Sequence, residues 1–253
     1  MMNREIITRA DFSRVSSALV ALSGGVDSAV LLHLAKEAGI RVEAACVVSE
    51  FTAECDISAA RGAAAREGVL FHEIRASFLE DEAISENTKE RCYLCKKKMV
   101  ALLLSLAETR GLSAVLEGTN ADDGVRPGLR ALQEAGIRSP LQNLSKSEIV
   151  TIAENTGIPV RPPSSCLAAR IPQNTRISLE KLSLAEAAEE TLRRAGVVGI
   201  LRVRILEAEK DGLTKAAVEV EKEFMKPAVF FEEKLKPLGI KVLSIHEYKT
   251  GGA

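Results

Sequence analysis

Ser23-Gly24-Gly25-Val26-Asp27-Ser28 joins two stretches of different periodicity. Residues 18–22 before it are a short apolar run, and residues 27–38 after it carry helical spacing through Val30, Leu31, Leu34 and Ala35. The pattern is a buried strand, a tight turn and a helix. In an open parallel sheet such a turn sits at the carboxyl end of its strand, in the crevice that binds ligands. Gly24 and Gly25 let backbone amides approach a phosphate, the helix start adds partial positive charge, and Ser23 and Ser28 offer hydroxyl donors. Asp27 would repel a pyrophosphate unless a cation lay between them, so it implies Mg²⁺. A lone Gly-Gly would be an ordinary helix start. The hexapeptide also differs from the Gly-x-x-x-x-Gly-Lys-Ser/Thr phosphate loop and from the Gly-x-Gly-x-x-Gly dinucleotide turn.

Outward from the turn, strand and helix signals alternate. Residues 42–48 read as a strand, 53–67 as a helix, 69–74 as a strand, 89–109 as a long helix and 114–117 as a fourth strand. Repeated units of this kind predict an α/β fold, a doubly wound, mostly parallel sheet covered on both faces. Ser145-Lys146-Ser147-Glu148 has capping-box spacing and predicts a helix ending near Gly157. Prolines 159, 162, 163 and 172 then mark a loop. Beyond it, helix 178–194, strand 200–206, strand 213–220, helix 227–235 and strand 240–245 make a small α+β module. The expected domains are 1–175 and 176–253.

A second motif, Glu117-Gly118-Thr119-Asn120-Ala121-Asp122-Asp123, follows the fourth strand. Gly118 permits a close turn, while Thr119, Asn120 and Asp122 can hydrogen-bond a sugar or hold Mg²⁺. Alone, such a turn would more simply cap the next helix. Cys92-Tyr93-Leu94-Cys95 opens the long helix with two thiols one turn apart, and Cys166 lies in the proline-rich loop. Three thiolates fall one short of a closed zinc site or a fully ligated iron–sulfur cluster. A redox pair, or zinc completed by another residue, fits the spacing as well. Cys46 reads as a core residue, and Cys55 has no evident partner.

The 253 residues are 46% apolar and 27% charged, with a net charge of −1. That composition predicts an ordered globular protein, with disorder confined to the termini around Gly251 and Gly252. The charge gathers no nucleic acid, and the absence of Trp, with only seven Phe and two Tyr, weighs against an RNA-stacking surface. With no signal-peptide core and no apolar run of membrane length, the expected location is the cytoplasm. Five cysteines there are not expected to form a disulfide framework.

The hexapeptide resembles the signature of the PP-loop ATP pyrophosphatases, whose fold is of the adenine nucleotide alpha-hydrolase type. That resemblance implies cleavage of ATP between the α and β phosphates and transfer of AMP to a substrate oxygen. Arg91-Cys92-Tyr93-Leu94-Cys95-Lys96 and the ten residues from Pro163 to Pro172, with Glu117 to Asp123 and Arg138-Ser139-Pro140-Leu141 between them, narrow the likeness. Together they resemble the LarE-type sulfur transferases that help to build the nickel-pincer nucleotide of lactate racemase. The similarity spans roughly residues 15 to 175 and extends more weakly to the end.

In that family a carboxylate of a pyridinium dicarboxylate mononucleotide is adenylated, and sulfur then replaces AMP. One branch sacrifices the sulfur of the cysteine matching Cys166. In the other, cysteines matching Cys92, Cys95 and Cys166 hold a 4Fe-4S cluster whose open iron carries sulfide, and the presence of all three places this chain in that branch. The resemblance makes Cys166, Asp27 and Arg170 catalytic, and gives ATP and Mg²⁺ to Ser23, Gly24, Gly25, Asp27, Ser28, Gly118, Thr119, Asn120 and Asp122. Arg202-Val203-Arg204 matches a strand whose arginines bind the substrate phosphate, whereas residues 215–220 match the family only loosely. Expected partners are a small nucleotide substrate, a sulfur donor and further copies of the chain, as a trimer or hexamer. The rival reading is a PP-loop tRNA thiolase with a 4Fe-4S cluster. A nucleotide-binding protein with a structural metal is the non-enzymatic alternative.

Overall fold

The computed structural model describes residues 10–124, 127–208 and 213–248. Gly251 and Gly252, expected to be disordered, lie outside them. The chain divides into two compact units, Met1–Ala76 with Cys92–Arg161, and Ser77–Arg91 with Pro162–Ala253.

The first unit holds four strands, β1 (Ser17–Ala21), β2 (Arg41–Val48), β3 (Phe71–Arg75) and β4 (Ala114–Leu116), in the order β3-β2-β1-β4. All three pairings are parallel, with Val20 opposite Ala44 on one side and Leu116 on the other. The sheet is the one expected from the alternating pattern. Ala18, Leu19 and Val20 are fully buried, as a central parallel strand with both faces covered requires. Because β2 and β4 flank β1 on opposite sides, the strand order reverses at β1, which is a topological switch point. Both sequence motifs leave from carboxyl ends at that point.

Helices α1 (Val26–Glu37) and α2 (Glu54–Glu67) follow β1 and β2. On α1, Val30, Leu31, Leu34 and Ala35 are buried, as their spacing predicts. The third strand starts at Phe71 rather than 69 because the helix end claims the intervening chain. Gly68 turns left-handed at φ +62°, and Val69 N–H donates to Ala64 O, closing α2.

Helix α3 (Glu82–Ser85) belongs to the second unit, and α4 (Arg91–Thr109) almost entirely to the first. The first unit continues with α5 (Pro127–Glu134) and α6 (Lys146–Thr156). The capping box at α6 forms as predicted, with Ser145 N–H donating to Glu148 Oε2 at 2.8 Å. Helix α5 left no sequence signal, since among its eight residues only Ala131 and Leu132 are buried.

The second unit is built on α7 (Leu179–Arg194), β5 (Leu201–Ala208), β6 (Thr214–Val220), α8 (Ala228–Leu235) and β7 (Ile240–Glu247). Its sheet, ordered β5-β6-β7, is mixed: β5 and β6 run antiparallel, β6 and β7 parallel. Leu182, Leu192, Val203, Val218, Phe231 and Leu235 form its buried core. No helix among the described residues is long and apolar enough to cross a membrane.

Candidate functional site

The glycine-rich turn is held by its own serines. Ser28, 4% exposed, donates its hydroxyl to Gly25 O at 2.9 Å and accepts from Ser23 N–H at 3.2 Å. Gly24 has φ +78°, and a Cβ there would overlap the carbonyl oxygen of Asp56 and approach its Cα to 2.8 Å. Only glycine suits both constraints. Arg161 fixes the same place from outside, donating through Nη1 to Gly24 O at 3.2 Å and to Asp56 Oδ1 at 3.1 Å.

The second motif packs onto the first. A Cβ on Gly118 would come to 3.0 Å from Ser28 N and 3.1 Å from Asp27 C, so the missing side chain permits the contact. Asn120, 6% exposed, donates to Asp27 Oδ1 at 3.4 Å and accepts from Asp122 N–H at 2.9 Å. Thr119 is turned onto Glu117, its N–H and hydroxyl donating to that carboxylate at 3.1 and 2.9 Å. Ser139 donates to the same carboxylate. The residues expected to bind the nucleotide, Ser23 to Ser28 and Gly118 to Asp122, are thus brought together at one end of the sheet.

Sequence reasoning missed the cation that completes this cluster. Lys146 Nζ donates to both carboxylate oxygens of Asp27, at 2.7 and 2.6 Å, while its backbone N–H donates to Asp122 Oδ2 at 2.7 Å. The capping box explains how: Lys146 is the first residue of α6, aimed by a cap that the sequence does display. Nothing in the sequence pairs Lys146 with Asp27 across 119 positions. A cavity of about 490 Å³ opens beside the turn, bordered by Gly24, Gly25 and Arg161 and walled by small residues of α2, including Ala59, Gly62 and Ala63. Such a wall admits a flat group against the helix backbone.

Cys92 and Cys95 stand one turn apart at the start of α4, Cys92 exposed and Cys95 partly so. Tyr93 between them is fastened to α5: its hydroxyl donates to Glu134 Oε2 at 2.7 Å, and the Arg130 guanidinium lies 3.7 Å from its ring centre. Cys46 is buried in β2, as expected of a core residue, and burial, followed by the charges of Glu73 and Asp56, pushes its thiol up to about 11. Cys55 is exposed at the cavity border. Among the described residues no cysteine is in a disulfide, and no three His, Cys, Asp or Glu side chains are gathered as a metal site.

In the second unit, Cys166 is exposed and caps a short 3-10 turn, Leu167–Arg170. Arg170 is 3% exposed, and its guanidinium faces inward. Nε and Nη2 donate to Glu189 at 2.6 and 3.0 Å, and Nη1 donates to Ser165 O and Oγ at 3.0 and 2.7 Å. Arg202 lies over the Tyr248 ring at 4.6 Å. Arg204 is paired with Glu219, its Nε at 2.5 Å, and Nη1 donates to Ala169 O at 3.3 Å.

A glycine-rich turn and its acidic counterpart, meeting at the switch point of a parallel sheet, define a PP-loop fold. Residues 17–176 match the family model described as queuosine biosynthesis protein QueC. An uncharacterized protein of Methanocaldococcus jannaschii is 33% identical over 241 residues, 90% of this chain and 88% of that protein. An uncharacterized protein of Synechocystis is 34% identical over 195 residues, 74% of this chain and 73% of that protein. Pyridinium-3,5-bisthiocarboxylic acid mononucleotide synthase of Lactiplantibacillus plantarum is 31% identical over 194 residues, 74% of this chain and 69% of that protein. The chain belongs to the QueC-like PP-loop family of ATP-dependent enzymes and is of the LarE type within it.

Proposed function

We propose that the protein is an ATP-dependent sulfur transferase that converts a carboxylate of a pyridinium dicarboxylate mononucleotide to a thiocarboxylate. The observation that carries this reading is the similarity to a synthase whose product bears two thiocarboxylates, over 74% of this chain, together with an exposed cysteine at position 166. A carboxylate oxygen attacks the α-phosphorus of ATP and pyrophosphate departs, so that the acyl carbon now bears AMP as a good leaving group. A sulfur nucleophile then attacks that carbon and AMP leaves.

In this scheme Ser23, Gly24, Gly25 and Ser28 hold the departing phosphates, with Asp27 and Asp122 as carboxylates suited to Mg²⁺. Gly118, Thr119 and Asn120 border the nucleotide, and Arg202 and Arg204 bind the substrate phosphate. Lys146 adds a cation that can turn from Asp27 to a phosphate. We assign nucleotide chemistry to residues 1–175, and substrate binding with assembly into trimers or hexamers to residues 176–253.

Three thiols outside any disulfide, at Cys92, Cys95 and Cys166, are a donor set of the right chemistry for a 4Fe-4S cluster. Such a cluster would offer an open iron able to carry a sulfide.

The test is anaerobic purification with determination of iron and acid-labile sulfide, followed by incubation with ATP and the mononucleotide. Pyrophosphate release and a product in which oxygen has become sulfur are expected. Cys166→Ser should lose the sulfur-bearing product while still binding ATP. Iron lost on replacing Cys92, Cys95 or Cys166 with Ser supports the cluster, whereas dehydroalanine at 166 after turnover points to a sacrificial cysteine. Thiolation of co-purified tRNA instead would overturn the choice of substrate.

A further inference from the structure

We propose that Glu189 is a positioning residue that sets the Cys166 loop against the strand carrying Arg202 and Arg204; the proposal rests on the reading of Cys166 as the sulfur-handling residue. Glu189 lies on α7, is 8% exposed, and its carboxylate accepts three hydrogen bonds from two other pieces of chain. Both oxygens accept from Arg170, at 2.6 and 3.0 Å, and Oε1 also accepts from the backbone N–H of Val203 at 3.0 Å. Arg170 in turn donates to Ser165 O and Oγ, the residue before Cys166. Val203 stands between Arg202 and Arg204 on β5. One buried carboxylate therefore fixes both the loop that presents the thiol and the strand that presents the two substrate arginines.

Arg204 makes a second, direct tie between the same elements, donating to Ala169 O at 3.3 Å while paired with Glu219. A buried bidentate pair with further hydrogen bonds on both partners holds its geometry far better than an exposed one, because every competing arrangement leaves a charge without water or partner. Displacing a reacting group by about 1 Å can cost roughly 100-fold in rate. The spacing between the thiol and the bound phosphate is the quantity this arrangement controls. Glu189 touches neither substrate nor nucleotide in the proposed reaction, so its effect must pass through Arg170 and Val203.

The experiment compares the full-length protein with Glu189→Gln and with the double variant Arg170→Met, Glu189→Leu, which replaces the buried pair by apolar side chains. Thermal unfolding, the alkylation rate of Cys166 relative to Cys92 by mass spectrometry, and kcat and KM for sulfur transfer are measured on each. The double variant should unfold near the parent temperature, yet alkylate Cys166 several-fold faster and lose on the order of 100-fold in kcat with little change in KM for ATP. Parent-like unfolding with parent-like alkylation and kcat would show Glu189 to be merely structural and overturn the proposal. Should the double variant fail to fold, Ser165→Ala, which removes one acceptor of Arg170, carries the same two readouts. Retention of sulfur transfer by Cys166→Ser would sink the underlying reading; the alkylation ratio would still decide whether Glu189 holds the loop.

Discussion

Two ion pairs sit in the candidate machinery, one in each unit, and their surroundings are opposite. Asp27 and Lys146 keep 26% and 42% of their side chains exposed, whereas Arg170 and Glu189 keep 4% and 11%. Both pairs have short contacts. In the first, water can replace either partner, so the ammonium is exchangeable and the pair contributes little to stability. In the second, neither charge can be left alone without a large desolvation penalty, so the geometry is fixed. The contrast matches what each site must do. Under the proposed function, a turn that binds phosphate must release one set of ions to receive another, while a loop that presents a thiol must hold still.

The largest effect that could break this contrast is expected at the buried pair. Arg170→Met should cost about 3–5 kcal/mol in urea unfolding, because it strands Glu189 in the interior. A loss below about 1 kcal/mol would place the pair in the same class as the surface one. Next comes Gly24→Ala, a change in the mobile-ion site at a point that is itself rigid. The alanine must adopt φ +78° with its Cβ overlapping Asp56 O, so strain of about 1–3 kcal/mol is expected, with ATP affinity falling as the turn shifts. Unfolding and nucleotide titration on the same sample check both parts. An unchanged protein would mean that the turn relaxes freely and that rigidity is confined to the second unit.

Where the sequence was legible follows from the range of the interactions. Periodicity is local, so β1, α1, β2, α2 and the capped helix α6 appear in the sequence nearly where the chain forms them. The boundary of β3 moved because Gly68 and Val69 close a helix, a contest between two local preferences that the apolar count does not weigh. The short helix α5 was missed for lack of apolar signal, although it fastens Tyr93. The motif residues were legible by type. Their partners were not, because Lys146 reaches Asp27 across 119 positions and Glu189 reaches Arg170 across 19. The sequence reading makes Arg170 a cation near the substrate; the fold shows that its guanidinium is already committed to Glu189 and Ser165. Ionic partners of this kind depend on tertiary placement.

The smallest stability effect sharpens the comparison most, because it must be accompanied by a functional one. Lys146→Met should change unfolding free energy by less than about 1 kcal/mol, since Asp27 can regain water when the ammonium is removed. If the ammonium turns to a phosphate when ATP binds, the same variant should raise the KM for ATP on the order of tenfold, the size of one charge-assisted hydrogen bond. Added salt should weaken ATP binding in the parent more than in the variant, as screening acts on an exposed charge. Urea unfolding tests the first of these, and pyrophosphate release measured across a salt series tests the other two. A variant that loses stability but not affinity would make Lys146 a brace for Asp27, and the two pairs would then differ only in burial.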